Sequence, residues 1–172
     1  MTDTSPTKMP TLFIPHGGGP CFFMDWALMG GPSDTWDKTA AWLRSIPESL
    51  PEKPKALLVV SAHWEEQAFS ISTAEFPDMI FDYSGFPPHT YELSYPAPGA
   101  PDLAQRVCEI VTEQGLSKPL YANRGFDHGV FVPLLVAFPD ADIPILTMSL
   151  SKDLSPEKHL EMGKALSRLR DE

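Results

Sequence analysis

Thr11-Leu12-Phe13-Ile14-Pro15-His16-Gly17-Gly18-Gly19-Pro20 sets an apolar run directly against a glycine-rich turn that carries a histidine. The run reads as a strand over 11–14, and a glycine-rich loop from Gly17 to Gly31 follows it. A helix is then predicted over 33–46, with Ser33 or Asp34 as N-cap and Trp36, Ala40 and Leu43 on one face. Pro47 and Pro51 close it. A strand, a shaped loop and a helix in that order begin an α/β alternation, and the rest of the chain continues it.

The next strand is predicted over Ala56–Ala62, a continuous apolar run of the kind buried on both faces of a sheet. It leads straight into His63-Trp64. Gln67–Ser72 alternates polar and apolar residues, which predicts a strand with one face covered. Phe76–Pro98 is a long loop rich in aromatics and prolines, a length that within a compact domain points to a wall or lid over a site. A helix over 100–114 follows, with Pro101 in its first turn, Gly115 past its end, and Leu103, Val107, Ile110 and Val111 as its buried stripe. Val130–Phe138 predicts a further helix, and Asp142–Met148 a core strand. The last helix has Ser155 as cap and Pro156 in its first position, and runs to Arg170. The fold class expected is therefore α/β: a layered central sheet flanked by helices. One domain is expected over residues 10–172, behind a disordered lead-in of residues 1–9 that lacks the apolar core of a signal peptide.

The bulk numbers narrow the partners. At 172 residues and 42% apolar composition, the chain suits one compact domain with a real core. Thirteen basic against twenty-three acidic side chains leave a formal charge of −10. That disfavours nucleic acid and anionic membrane, both of which want a basic surface. No 18-residue apolar stretch is present to span a bilayer. Cys21 and Cys108 are too few and too far apart for a disulfide framework, so a reduced, cytoplasmic protein is expected.

Three of the five histidines sit where a strand meets a turn or helix: His16, His63, and His128 in Phe126-Asp127-His128-Gly129. Imidazoles delivered to strand ends can converge at one edge of a sheet, which makes a metal-centred active site the first hypothesis. Each segment taken singly also fits a plainer role. His16 can be incidental to a glycine turn, and His63 can be a core histidine bonded to a carbonyl. Asp127 can be a helix N-cap, or can orient His128 for acid–base work. His89, Tyr83, Tyr91 and Tyr95 lie in the aromatic loop. They either line the pocket of an aromatic substrate, with Tyr95 and His89 as candidate substrate-binding residues, or pack the loop onto the core. His159, among Lys158, Glu161 and Lys164, reads as part of a solvated helix face. No Gly-x-Ser-x-Gly elbow, phosphate-cradling Gly-x-x-x-x-Gly-Lys, Cys-x-x-Cys or His-Glu-x-x-His is present.

Four segments in one order carry a resemblance: Pro15–Pro20, Ser61–Trp64, Tyr91-Glu92-Leu93-Ser94-Tyr95-Pro96-Ala97-Pro98-Gly99 and Gly125–Val130. Together they resemble the class III extradiol ring-cleavage dioxygenases, in their DOPA 4,5-dioxygenase-like branch. The resemblance implies a non-haem metal site with His16 and His63 as ligands. It implies His128 as the acid–base catalyst, a residue some descriptions of the family also count as metal-binding. It implies Fe(II), with Zn(II) found in the same place in some relatives. The reaction implied is incorporation of both atoms of O2 into a catechol, opening the ring beside its hydroxyls. It further implies another strand beyond the last helix, ending in a further metal-binding histidine. Nothing in this sequence matches that residue, so a C-terminally incomplete catalytic domain is expected. The alternatives are a zinc-dependent hydrolase using activated water, and a non-catalytic remnant of the dioxygenase fold.

Overall fold

The computed structural model describes residues 8–172. In chain order its elements are α1 (Asp37–Ser49), β1 (Leu57–Glu66), β2 (Ser70–Ser72), β3 (Met79–Ile80) and α2 (Pro101–Glu113). They continue with β4 (Leu120–Ala122), β5 (Phe126–Asp127), α3 (His128–Ala137), β6 (Ile145–Ser151) and α4 (Pro156–Leu166). The main sheet has the order β1-β6-β2-β4 and is mixed. β1 runs parallel to β6, β6 antiparallel to β2, and β2 parallel to β4. A second, two-stranded sheet pairs β3 with β5 in parallel. The fold is the expected α/β arrangement of a central sheet flanked by helices.

β6 shows why the layers form. Successive strand residues point to opposite faces, so Leu146 and Met148 pack with Val107 and Val111 of α2 and Met162 and Leu166 of α4. Ile145 packs on the other side with Val130, Phe131 and Leu134 of α3. α3 buries eight of its ten residues, so it is apolar all round and sits between the sheet and α1. Leu43 and Ile46 of α1 close that side against Val136 and Ala137. Burial of a large apolar side chain contributes about 1.5–3 kcal/mol, so these interlayer contacts hold the strand ends in place.

α2 and α4 keep their expected signals. Pro101 opens α2, and Gly115 follows it at a φ of 73°, in the left-handed region that favours glycine. Ser155 caps α4 by accepting from the Lys158 N–H, with Pro156 in the first position. The helix stops at Leu166, and the chain continues to Asp171 in a tighter 3-10 turn.

Several expectations are corrected. Residues 11–14 form no strand: they pair with no neighbour among the described residues, and Phe13 is 97% exposed. Apolar character favours burial, but a strand also needs a ladder partner. α1 begins at Asp37, because residues 33–36 are held in turns by the Thr35 hydroxyl and N–H bonding to the Pro32 carbonyl. It also continues through Pro47 to Ser49. β1 is not buried on both faces: it is an edge strand, and Val60 is 47% exposed. β2 is shorter than expected and buried throughout, because it lies between β6 and β4. Strands β3, β4 and β5 give no sequence signal, since two or three residues cannot establish a period of two.

Residues 1–7 of the expected lead-in lie outside the described residues. Its last two residues are tied to the C-terminal turn, through Met9 N–H to the Arg170 carbonyl and Lys8 to Asp171. No helix among the described residues is long and apolar enough to cross a membrane.

Candidate metal centre

His16 owes its position to the turn around it. Gly17 has a φ of 75°, and a Cβ there would lie 2.5 Å from the Cys21 sulfur and 3.0 Å from the Trp36 ring. Only glycine fits so close a turn, which folds back until the Cys21 thiol faces the His16 carbonyl at 3.6 Å. His63 sits where the β1–β6 register shifts, between Val60 and Glu65. Such an irregularity re-aims side chains, and here His63 is carried to the exposed side. His128 is the first residue of α3 and is buried.

These three histidines converge. Their ring centroids lie 4.8 Å (His16–His63), 4.9 Å (His16–His128) and 4.1 Å (His63–His128) apart. One nitrogen from each lies within 4.8 Å of the others, a grouping able to hold a metal ion. The Nε2 atoms of His16 and His63 are 2.9 Å apart, while His16 Nδ1 is enclosed without a hydrogen-bond partner. Burial, then the nearby His128 and His63, hold the His16 imidazole below its ordinary value, against the opposing pull of Asp127 and Asp82. A neutral imidazole is the form that ligates metals, so the donor set fits a borderline divalent cation.

Two carboxylates and their partners position His63 and His128. Asp127 is 1% exposed and accepts from the Ser61 hydroxyl at 2.8 Å and from Arg124 at 3.2 Å. Ser61 Oγ in turn accepts from the His63 backbone N–H at 3.2 Å. Arg124 also lies 4.9 Å over the Trp64 ring. Asp127 therefore does not cap α3 with its side chain. The α3 cap comes from Asp82, whose Oδ1 accepts from the His128 backbone N–H at 2.9 Å and faces His128 Nδ1 at 2.7 Å.

Residues 10–172 match the family described as the catalytic LigB subunit of aromatic ring-opening dioxygenase. The chain belongs to the LigB family. It is 42% identical over 163 residues to the 4,5-DOPA dioxygenase extradiol of Beta vulgaris, covering 94% of this chain and 58% of that protein. It is 38% identical over 168 residues to the 4,5-DOPA dioxygenase extradiol of Escherichia coli K12, covering 98% and 57%. Dioxygenase tasH of Hapsidospora irregularis is 39% identical over 173 residues, covering 95% and 50%. The crystal structure of uncharacterized protein JW3007 from Escherichia coli K12 superposes with a TM-score of 0.61 at 33% identity, over 77% of this chain and 48% of that one. The chain thus spans between half and three fifths of the length of these curated relatives.

Within the LigB-family chain the remaining expected site residues fall elsewhere. Tyr95 is 1% exposed, packs near Phe126, and donates its hydroxyl to the Phe138 carbonyl at 3.1 Å. Burial raises its phenol to about 12, so it presents a closed, satisfied side chain to the core. His89 is exposed, with Nε2 3.0 Å from the Phe23 carbonyl, so it ties the aromatic loop to the turn after His16. His159 is not on a solvated face: its Nδ1 faces the Ser155 carbonyl at 2.7 Å, and its Nε2 accepts from the Ser151 N–H at 3.2 Å.

The aromatic neighbour of the cluster is Tyr83, edge-on to His128 at 5.8 Å. It is held by donating to the Thr90 carbonyl at 2.6 Å, and it adjoins Phe86, Tyr91 and Phe131. Tyr83 is one of the loop aromatics expected to line a pocket or pack on the core, whereas Asp82 gives no such expectation, because 46 residues separate it from His128. The available signal was an acid set between Phe81 and Tyr83 in an otherwise apolar wall.

Proposed function

We propose that this chain carries the metal-binding part of a non-haem extradiol dioxygenase that opens a catechol-type ring with O2. The observation that supports it most is the convergence of His16, His63 and His128 within 4.8 Å, in a chain of the LigB family. His16 and His63 are the proposed metal ligands, since their Nε2 atoms face each other across 2.9 Å. Fe(II) is the proposed ion, with Zn(II) able to occupy the same imidazoles. Held by these imidazoles, Fe(II) would supply Lewis acidity and the redox capacity that incorporation of O2 requires.

The residues do the rest. His128 has Nδ1 turned to Asp82, so the nitrogen it offers the cluster is Nε2, placed to take a proton from a substrate hydroxyl. His63 is exposed, which leaves the cluster open on that side for a flat substrate. The wall built from Phe81, Tyr83 and Phe131 supplies an apolar flank beside His128. The substrates are a small catechol and O2, with no role for nucleic acid or membrane. Both cysteines are free and buried, which supports a reducing, cytoplasmic setting.

The test is anaerobic loading with Fe(II), addition of a catechol, and admission of O2 in an oxygen electrode. O2 uptake matched mole for mole by a yellow ring-opened semialdehyde is expected. A chain that retains Fe(II) and binds catechol yet consumes no O2 contradicts the proposal.

A further inference from the structure

The geometry points to Asp82 as a positioning residue that fixes the tautomer and aim of His128 and ties both to the aromatic wall. The inference rests on the reading of His128 as the proton acceptor of the proposed reaction.

The backbone dictates the meeting. β3 and β5 run parallel with Met79 opposite Phe126 and Ile80 opposite Asp127. Asp82 follows β3 by two residues and His128 follows β5 by one, so this register delivers both to the same end of the small sheet. There a single oxygen, Asp82 Oδ1, meets the His128 backbone N–H at 2.9 Å and ring Nδ1 at 2.7 Å. A carboxylate only accepts, so the ring nitrogen facing it must carry the proton. Nε2 is then left as a lone pair.

The free neutral imidazole favours the opposite tautomer, with the proton on Nε2, which would place an N–H inside the cluster. A carboxylate–imidazole bond can reverse that preference and fix the ring's orientation, as partners of metal-site histidines commonly do. Two bonds from one residue to one oxygen also limit rotation of the ring against the helix. Asp82 is flanked by Phe81, which adjoins Phe131, and by Tyr83, which adjoins His128. A shift of the wall would therefore shift the acceptor oxygen. Among the residues near His128, Asp127 cannot serve instead: its oxygens are taken by Ser61 and Arg124.

The test reads the tautomer directly. Two-bond 1H–15N correlation spectra of the metal-free chain, at a pH where the ring is neutral, report which nitrogen is protonated. The His128 pattern is assigned by its loss in His128→Gln. In the wild type we expect Nδ1 protonated and Nε2 bare, with a strongly downfield Hδ1 resonance. Asp82→Ala should invert the tautomer. Asp82→Asn keeps an accepting oxygen, so it should keep the tautomer while moving the Hδ1 resonance upfield as the charge is lost. A role confined to capping α3 moves neither signal. An Nε2-protonated ring in the wild type overturns the inference, as does an unchanged tautomer in Asp82→Ala. If Asp82→Ala does not fold, an unmoved Hδ1 resonance in Asp82→Asn overturns it. These spectra need no metal and no turnover, so their outcome is separate from that of the ring-opening assay.

Discussion

The Nε2 atoms of His16 and His63 lie 2.9 Å apart, although 47 residues separate the two in sequence. Two imidazole nitrogens at that distance share either one proton or one cation. With a cation in place, metal should stabilise the fold by mass action. At a free metal concentration of one hundred times Kd the gain is about 2.7 kcal/mol, or roughly 5–10 °C in Tm for a domain of this size. Thermal melts with and without Zn(II) should show that shift in the wild type and lose it in His16→Ala and in His63→Ala. An equal shift in all three proteins would place the metal elsewhere.

Acid should weaken the fold through His16. Its imidazole sits below the ordinary 6.5, chiefly through burial and then through the neighbouring histidines. The unfolded chain therefore takes up this proton at higher pH than the folded chain. Stability is full above about 6.5 and is lost as pH falls from there towards the folded value. Denaturant midpoints at about pH 7.5 and about pH 5.5 should differ more in the wild type than in His16→Gln. Identical slopes would show that His16 titrates freely.

Gly129→Ala sets two effects against each other. Alanine favours a helix by about 1 kcal/mol over glycine. Here, however, the new Cβ would lie 2.6 Å from His63 Cδ2 and 3.2 Å from Asp127 Oδ1. Overpacking of this kind costs about 1–3 kcal/mol, so the steric cost should win. His63 has to move, and the metal-induced shift in Tm should shrink even where the chain stays folded. A variant at least as stable as wild type, with the shift intact, would refute the close packing.

Asp127 is the buried end of an ion pair with Arg124, whose side chain is 24% exposed. Removing one partner of a buried pair costs about 3–5 kcal/mol, and the partial exposure of Arg124 places Asp127→Ala near the lower end. Urea titration measures the loss. A change below about 1 kcal/mol would mean that Ser61 and Arg124 find water instead.

Much of this was legible in the residues. The runs at 100–114, 130–138 and 142–148 declared their elements to within three residues at each end, and Ser155-Pro156 declared a helix start, because each signal is local. His16, His63 and His128 were legible as a set, since each closes or opens an element. The run at 11–14 misled because hydrophobicity reports a wish for burial without naming a ladder partner. Tyr95 misled because an aromatic in a loop motif looks the same whether it faces a substrate or the core. Asp82 was hidden for a different reason: its partner is chosen by the register of two-residue strands, which leave no periodic trace. Asp127, which its sequence allows either as the N-cap of α3 or as the acid orienting His128, does neither with its side chain, because the chain directs it to Ser61 and Arg124.

His16 and His63 should hold one metal ion beside His128, and X-ray absorption at the metal edge of the Fe(II)-loaded chain reads those two ligands. One iron per chain with imidazole scattering is expected, and one imidazole fewer in each of His16→Ala and His63→Ala. An unchanged imidazole count in both variants, or the absence of stoichiometric iron in the wild type, would contradict it.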